Sequence, residues 1–408
     1  MYRCRFCKSG LSETFADLGM SPLSNSYLAP AQINAMERFF PLHAYVCGSC
    51  FLVQLAEFET PDRIFSDYAY FSSYADSWLK HCESYAEEMV RRWNLGADSL
   101  VMEVASNDGY LLQYFKQRGV PVLGVEPAAN VAKVAIDKGI PTDVAFFGAA
   151  KGAALAAAGK SADLIAANNV LAHVPDINDF VQGFKNALKP EGRITVEFPH
   201  LMQLMEHNQF DTIYHEHFSY LSLGFVSDLF AAHGLRVFDV DEVPTHGGSL
   251  RVHGCHAEDA SKPVKPPVQA LLAREQSDGL RDLAAYRRFA DKVVRTKCEV
   301  LDFFIASKRA GKKVAAYGAP AKGNTLLNYC GIGPEFIGFT VDRSPHKQGL
   351  FLPGTHIPIL APEEVFKAKP DYLFILPWNL RDEIAGQMAG IRAWGGKFVV
   401  PIPAVEVF

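Results

Sequence analysis

From residue 99 onward the chain alternates short apolar runs with stretches of helical periodicity. Ser99–Val104 has the pattern of a buried strand, Ala105-Ser-Asn-Asp-Gly109 that of a small polar turn, and a helix is expected from about Tyr110. Further strands are expected at Val122–Pro127, Ala162–Asn169 and, after a Pro-Glu-Gly turn, Arg193–Pro199. His246-Gly-Gly-Ser-Leu-Arg-Val252 reads as a turn feeding a last strand, and Ala149–Ala158 as a surface helix. Strands alternating with helices predict an α/β fold with a parallel, doubly wound sheet, whose ligands bind beyond the carboxyl ends of the strands. Residues 267–310 carry apolar positions at helical spacing, from Leu271 through Leu280, Leu283, Phe289, Val293 and Val300 to Phe304. A second α/β run follows: a strand over Lys312–Tyr317, a Gly/Lys turn, a helix start, and strands at Ile337–Asp342, Tyr372–Pro377 and Lys397–Pro401. Near the beginning, Leu18–Tyr27 is too rich in Ser, Pro and Asn for a helix, and is either a connecting turn or a wall of a neighbouring site.

Composition narrows the class. The 408 residues are 49% hydrophobic and 21% charged, which excludes a disordered or fibrous chain and suggests two or three domains. A net charge of −5 speaks against nucleic acid as the main partner. The sequence has no apolar run long enough for a membrane span and no apolar region at its start. A cytoplasmic protein acting on a small molecule is the expectation, and nothing in the sequence demands more than a monomer.

Four of the eight cysteines form two pairs, Cys4-x-x-Cys7 and Cys47-x-x-Cys50. Each pair can present two thiolates to one tetrahedral ion, so the two together predict a four-sulfur zinc site. With four protein ligands no position stays open, and such a zinc is structural. A redox pair is the alternative, but it would occur once and open a helix.

The turn after the first strand selects the cofactor. A dinucleotide would require Gly-x-Gly-x-x-Gly there, so that backbone can approach a pyrophosphate. This chain has Glu103, Ser106, Asn107 and Asp108 with a single Gly109. Carboxylates repel a pyrophosphate and suit a ligand carrying an amino group and a sulfonium. Glu126, followed by Pro127 at the end of the second strand, is placed to accept hydrogen bonds from both ribose hydroxyls, and Asn168 and Asn169 close the third strand. These residues point to S-adenosylmethionine.

The paired cysteines, Glu103-Val-Ala-Ser-Asn-Asp-Gly109, Asn169-Val-Leu-Ala-His173 and Tyr214-His-Glu-His-Phe-Ser-Tyr220 together resemble the sugar-nucleotide C-methyltransferases, which make 3-C-methyl deoxysugars. The resemblance runs over the whole chain. It implies a zinc-binding module over residues 1–66, a methyltransferase domain over 67–256, and a helix with a Rossmann-like domain over 257–408. The chain departs from the commonest turn in having Ala105 where Gly is usual.

Carbon becomes nucleophilic once a proton beside a carbonyl is removed, and a 4-keto sugar supplies that acidity at C3. The resemblance implies His217 as the base, Tyr214 and Glu216 in contact with the sugar, His173 nearby, and Tyr68 or Tyr70 completing the pocket. On a regular strand Glu216 and His217 face opposite ways, so a shared pocket requires a turn, a bulge or a helix start. A metal held by His207, His215 and His217 with Glu216 is a competing arrangement, without the usual helical spacing. Arg251 is a candidate for a phosphate, against a plain hairpin role for its segment. The Gly/Lys turn of the last domain could bind a diphosphate through backbone N–H groups with Lys322; the resemblance adds Asn324 and Thr325, which implies a TDP- or GDP-linked acceptor. An O- or N-methyltransferase acting on another metabolite and a non-catalytic sugar-nucleotide binder are the rivals. So is an RNA-binding methyltransferase module led by a zinc ribbon bearing Arg3, Arg5, Lys8 and Arg38.

Overall fold

Two tight knuckles open the fold in the computed structural model, which describes residues 2–58, 73 and 76–408. Tyr68 and Tyr70 lie outside the described residues. In each knuckle the residue after the second cysteine adopts a left-handed conformation, Lys8 at φ 63° and Phe51 at φ 60°. Its N–H returns to the carbonyl of the first cysteine, at 3.0 and 2.9 Å. An antiparallel sheet follows, β1 (Glu13–Ser21), β2 (Phe40–Val46) and β3 (Val53–Leu55), completed at its edge by β9 (Ser219–Tyr220) from the middle of the chain. The expected loop at Leu18–Tyr27 is therefore shorter: Leu18–Ser21 pairs within β1, and the non-repetitive segment begins at Pro22.

The central sheet contains β4 (Val101–Val104), β5 (Val122–Val125), β6 (Thr142–Asp143), β7 (Ala162–Asn168), β8 (Leu188–Pro199), β10 (Leu235–Val243) and β11 (Ser249–His256). Across the sheet the order is β10-β11-β8-β7-β4-β5-β6, parallel from β8 to β6, with β11 and β10 pairing antiparallel. Because side chains alternate along a strand, the two faces separate cleanly. Val101, Leu164 and Ala166 pack with Tyr85 and Phe115, while Met102, Ile165 and Ala167 pack with Phe180, Phe184 and Phe225. The helix following β4 starts at Leu112, two residues beyond the expected start. The alanine-rich helix Ala149–Ala157 is more than a surface element. Gly152 meets Gly183 of the helix Ile177–Ala187 so closely that a Cβ would lie 2.4 Å from the Gly183 carbonyl.

The expected helix over 267–310 divides in two, Pro266–Ser277 and Leu283–Arg309. Gly279 takes φ 87° at the break, and Asp282 caps the second helix by accepting the Ala284 N–H at 3.0 Å. A third sheet holds β12 (Val314–Tyr317), β13 (Ile337–Val341), β14 (Ile359–Leu360), β15 (Tyr372–Ile375), β16 (Lys397–Val400) and β17 (Glu406–Val407), in the order β14-β13-β12-β15-β16-β17. The long helix ties the outer sheets together: Phe289 stacks on Phe15 of β1 at 4.7 Å, and Phe304 meets Phe374 of β15 at 5.0 Å. Among the described residues no helix is long and apolar enough to cross a membrane.

Candidate functional site

The knuckles bring the Sγ atoms of Cys4, Cys7, Cys47 and Cys50 within 4.8 Å of one another. Four converging thiols in two knuckles fit a tetrahedral zinc and leave it no open position. Gln54 supports the cluster, donating to Cys4 Sγ at 3.2 Å and accepting the Arg5 N–H at 2.8 Å. Arg5 is engaged internally, donating to the carbonyls of Pro175 and Leu55, which docks the module on the methyltransferase domain. Among the described residues the cysteines are the sole group suited to a metal, and His215 bonds to the Pro41 carbonyl instead; the arrangement of His207, His215 and His217 around a metal does not form.

The turn between β4 and the following helix alternates left-handed residues: Ala105 at φ 58°, Asn107 at 49° and Gly109 at 77°. Ala105 carries a Cβ in a region that costs an alanine about 1 kcal/mol, and its N–H bonds to Val125 O at 2.8 Å. Gly109 has no such freedom, since a Cβ there would lie 2.4 Å from Ile140 Cδ1. The turn leaves a set of buried polar atoms unsatisfied among the described residues: both Glu103 oxygens, Ser106 Oγ, Asp108 Oδ1, Asn168 Oδ1 and the whole Asn169 amide. Buried polar groups are normally paired, so these atoms, gathered at the carboxyl ends of β4 and β7, form a cradle for a polar ligand. Burial pushes the Glu103 carboxyl well up; the Tyr110 hydroxyl and Leu112 N–H offset this only in part, and neither completes a hydrogen bond. Asp108 pairs with Lys138 at 3.3 Å. Glu126 accepts the N–H groups of Asn107 and Ala128, both at 2.9 Å, which fixes its carboxylate at the end of β5 with one lone pair per oxygen still open. Pro127 follows, half-buried, at the start of the next helix. These residues fit S-adenosylmethionine, with acids for its amino and ribose groups and no glycine-lined pyrophosphate seat.

Beyond this cradle the motif Tyr214–Tyr220 forms a turn, with the His217 N–H on the Tyr214 carbonyl at 2.9 Å. The turn resolves the facing problem that a strand would pose. Tyr214 and His217 come together, with Oη 2.7 Å from Nε2, while His217 Nδ1 lies 3.0 Å from the Thr212 carbonyl. A carbonyl only accepts, so Nδ1 carries the proton, Nε2 is the basic nitrogen, and Tyr214 donates to it. Burial, and then neighbouring His173, hold His217 well below the usual histidine range. His173 donates from Nδ1 to Glu216 O at 2.8 Å, its ring 4.7 Å from that of His217, and burial lowers it to about 4. Glu216 turns away and accepts Asn25 Nδ2 at 2.7 Å; burial raises its carboxyl. Asn25 belongs to the segment after β1, which is thus a wall of the site.

A cavity of about 160 Å³ is lined by Tyr214, His217, Tyr220, His246, Pro320 and Lys322, among others. His173 and Glu216 stand behind its lining. His246, left-handed at φ 55° beside two glycines, is a lining residue that its motif had suggested only as a turn. Its ring meets the edge of Trp78, which stacks on His81 and also faces Tyr110 of the cofactor turn.

Three expectations about phosphate require correction. Arg251 lies in the middle of β11, 3.2 Å from both Glu197 and Glu88 and over the ring of Tyr85, so its charge is already matched. Burial pushes the Glu197 carboxyl up, but His81 and Arg251 together hold it below its usual range. Asn324 donates to the Ser24 carbonyl and Thr325 to the Ile213 carbonyl at 2.9 Å; both fasten the last domain to the site wall. In the Gly/Lys turn the donors before the helix are also taken. Gly318 N bonds to Val341 O, Ala319 N to Asp342 Oδ2, and Pro320 has no N–H.

Three family models match the chain: a zinc binding domain over residues 4–65, a methyltransferase domain over 76–240, and a C-methyltransferase C-terminal domain over 244–403. C-methyltransferase NovU of Streptomyces niveus is 40% identical over 404 residues, covering 99% of this chain and 96% of NovU. Among solved structures, magnesium protoporphyrin IX methyltransferase ChlM of Synechocystis PCC 6803 with bound SAM is 15% identical with a TM-score of 0.34, over 44% of this chain and 79% of that one. A S-adenosylmethionine-dependent methyltransferase from Clostridium acetobutylicum is 11% identical with a TM-score of 0.35, over 45% and 93%.

Proposed function

This chain belongs to the C-methyltransferase family, and from that premise we propose that it methylates C3 of a nucleotide-linked 4-keto-deoxysugar. The observation that carries the proposal is the Tyr214–His217 pair, in which the Thr212 carbonyl fixes the tautomer that leaves Nε2 basic. An acceptor entering the cavity redirects the Tyr214 hydroxyl from Nε2 to the sugar's carbonyl oxygen. Nε2 then takes the proton from C3; the C–H electron pair forms the C3–C4 double bond, and the carbonyl π pair moves to oxygen. Burial keeps His217 neutral, and therefore competent as a base, at neutral pH. Glu103, Asp108, Glu126, Asn168 and Asn169 would hold the cofactor. S-adenosylmethionine held there would supply an electrophilic methyl group, with the sulfur keeping the electron pair of the bond it gives up. The zinc holds the N-terminal module and takes no part in the proton transfer.

The test is incubation with S-adenosylmethionine and TDP- and GDP-linked 4-keto-deoxysugars, followed by mass spectrometry and NMR of the product. One added methyl on C3 is the expected result. A methyl on oxygen, or on C5 at the other side of the same carbonyl, would overturn the assignment of position. The absence of methylated product across the panel would overturn the substrate class.

A further inference from the structure

Lys322, from the last domain, lines the same cavity as Tyr214 and His217. Its Nζ lies 4.2 Å from the centroid of the Trp378 ring and donates to Asn379 Oδ1. An ammonium has three N–H groups, so two remain without an acceptor among the described residues. The indole N–H of Trp378 points the other way and donates to Asp211 Oδ2 at 2.7 Å. Asp211 is fully buried. A carboxylate on the indole N–H enriches the ring that the cation faces, so anion, indole and ammonium form one stack. Asp211 adjoins Thr212, whose carbonyl orients His217. The platform of the cation and the anchor of the base are therefore neighbouring residues.

Two observations bear on what this charge addresses. The N–H groups of the Gly318–Ala319 turn are already bonded within the domain, so the backbone donors beside Lys322 are those of the first turn of the helix Ala321–Cys330. At about 160 Å³ the cavity falls below the roughly 300–1,000 Å³ of sites that enclose a whole drug-sized ligand, so it suits the reacting sugar ring better than a complete nucleotide. Pro320 and Ala321, at the start of the helix Ala321–Cys330, line the same cavity, so the positive end of that helix adds to the field.

We propose that Lys322, fixed by the Asp211–Trp378 stack, stabilises the negative charge that develops on the acceptor's carbonyl oxygen when His217 removes the proton. The proposal rests on the functional reading above. It makes Lys322 a catalytic residue, and Trp378 and Asp211 positioning residues.

The experiment uses the full zinc-loaded chain with TDP-4-keto-6-deoxyglucose in deuterated water. Deuterium uptake beside the carbonyl is followed without cofactor, and methyl transfer with S-adenosylmethionine. Lys322→Met is expected to lower both the exchange rate and kcat about 100-fold while KM changes less than about threefold. Lys322→Arg restores part of the loss, and Trp378→Phe, which keeps a ring but loses the donor to Asp211, lowers both rates about fivefold. Melting temperatures equal to wild type exclude misfolding; should Lys322→Met melt early, Lys322→Arg and Trp378→Phe decide. A raised KM with exchange and kcat unchanged would overturn the proposal in favour of a diphosphate contact, and unchanged constants throughout would overturn it outright. Failure of the wild type to exchange or methylate would instead bring down the functional reading, and this inference with it.

Discussion

Replacing His217 with Asn removes Nε2 and Cε1 and leaves an amide oxygen in the place of Cδ2. The Asn amide N–H occupies the place of Nδ1 and keeps the bond to the Thr212 carbonyl, now 3.0 Å, while the nitrogen facing Tyr214 at 2.7 Å is lost. Loss of a positioned base costs roughly 10²- to 10⁴-fold, equivalent to about 3–5 kcal/mol in the barrier. Tyr214 loses the acceptor of its His217 bond inside the protein, which lowers stability by about 1–3 kcal/mol. The assay is proton-to-deuterium exchange in the acceptor without cofactor, so that methyl transfer does not mask the step, with urea unfolding as the control. Burial and His173 hold the wild-type His217 well below the usual histidine range. Its basic form therefore survives as pH falls through about 6.5, where an ordinary histidine titrates, and the exchange rate stays level there before an acid limb at lower pH. The variant has no such limb. Exchange within about threefold of wild type in a folded His217→Asn protein would remove His217 as the base.

Three further outcomes are expected. Arg251→Met leaves Glu197 buried beside fewer partners and should lower unfolding free energy by about 3–5 kcal/mol, with KM unchanged; normal stability with a raised KM would restore the phosphate role. Glu126→Ala loses the carboxylate at the end of β5 and should weaken S-adenosylmethionine binding at least about tenfold by calorimetry, while cofactor-free exchange continues; unchanged affinity would move the ribose contact elsewhere. Cys47→Ser should release zinc by elemental analysis and lower the melting temperature, and methyl transfer should fall with it, because the module holds Asn25 against Glu216. Retention of full activity by zinc-free protein would separate the module from the site.

Local signals carried much of this structure. Cys-x-x-Cys spacing needs only a knuckle, and the cysteines converge as their spacing implies. The apolar runs ending in Glu103, Glu126 and Asn168 are parallel strands because both faces are covered, and the acids fall at their carboxyl ends. What the sequence left open depends on partners far along the chain. Arg251 resembles a free cation until Glu197, across the strand pair, claims it. Ser24 and Asn25 gain meaning only from Asn324 and Glu216, separated from them by 300 and 191 positions. The break at Gly279 was legible, since Ser277-Asp-Gly279 is a helix-stop sequence, but continuous apolar spacing on either side concealed it.

The segment from Pro22 to Tyr27 bridges two domains: Tyr27 donates to the Ala319 carbonyl at 2.6 Å, Ser24 accepts from Asn324, and Asn25 reaches Glu216. Ribosomal synthesis gives this closure a direction in time. The residues that cradle the cofactor, from Glu103 to Asn169, have left the ribosome well before Lys322 and Asn324 are made. A chain that stopped before Ala319 would lack the partners of Tyr27 and Ser24 and the Lys322 side of the cavity. On the proposed chemistry, such a chain is expected to lose methyl transfer to the acceptor even where the residues from Glu103 to Asn169 are all present.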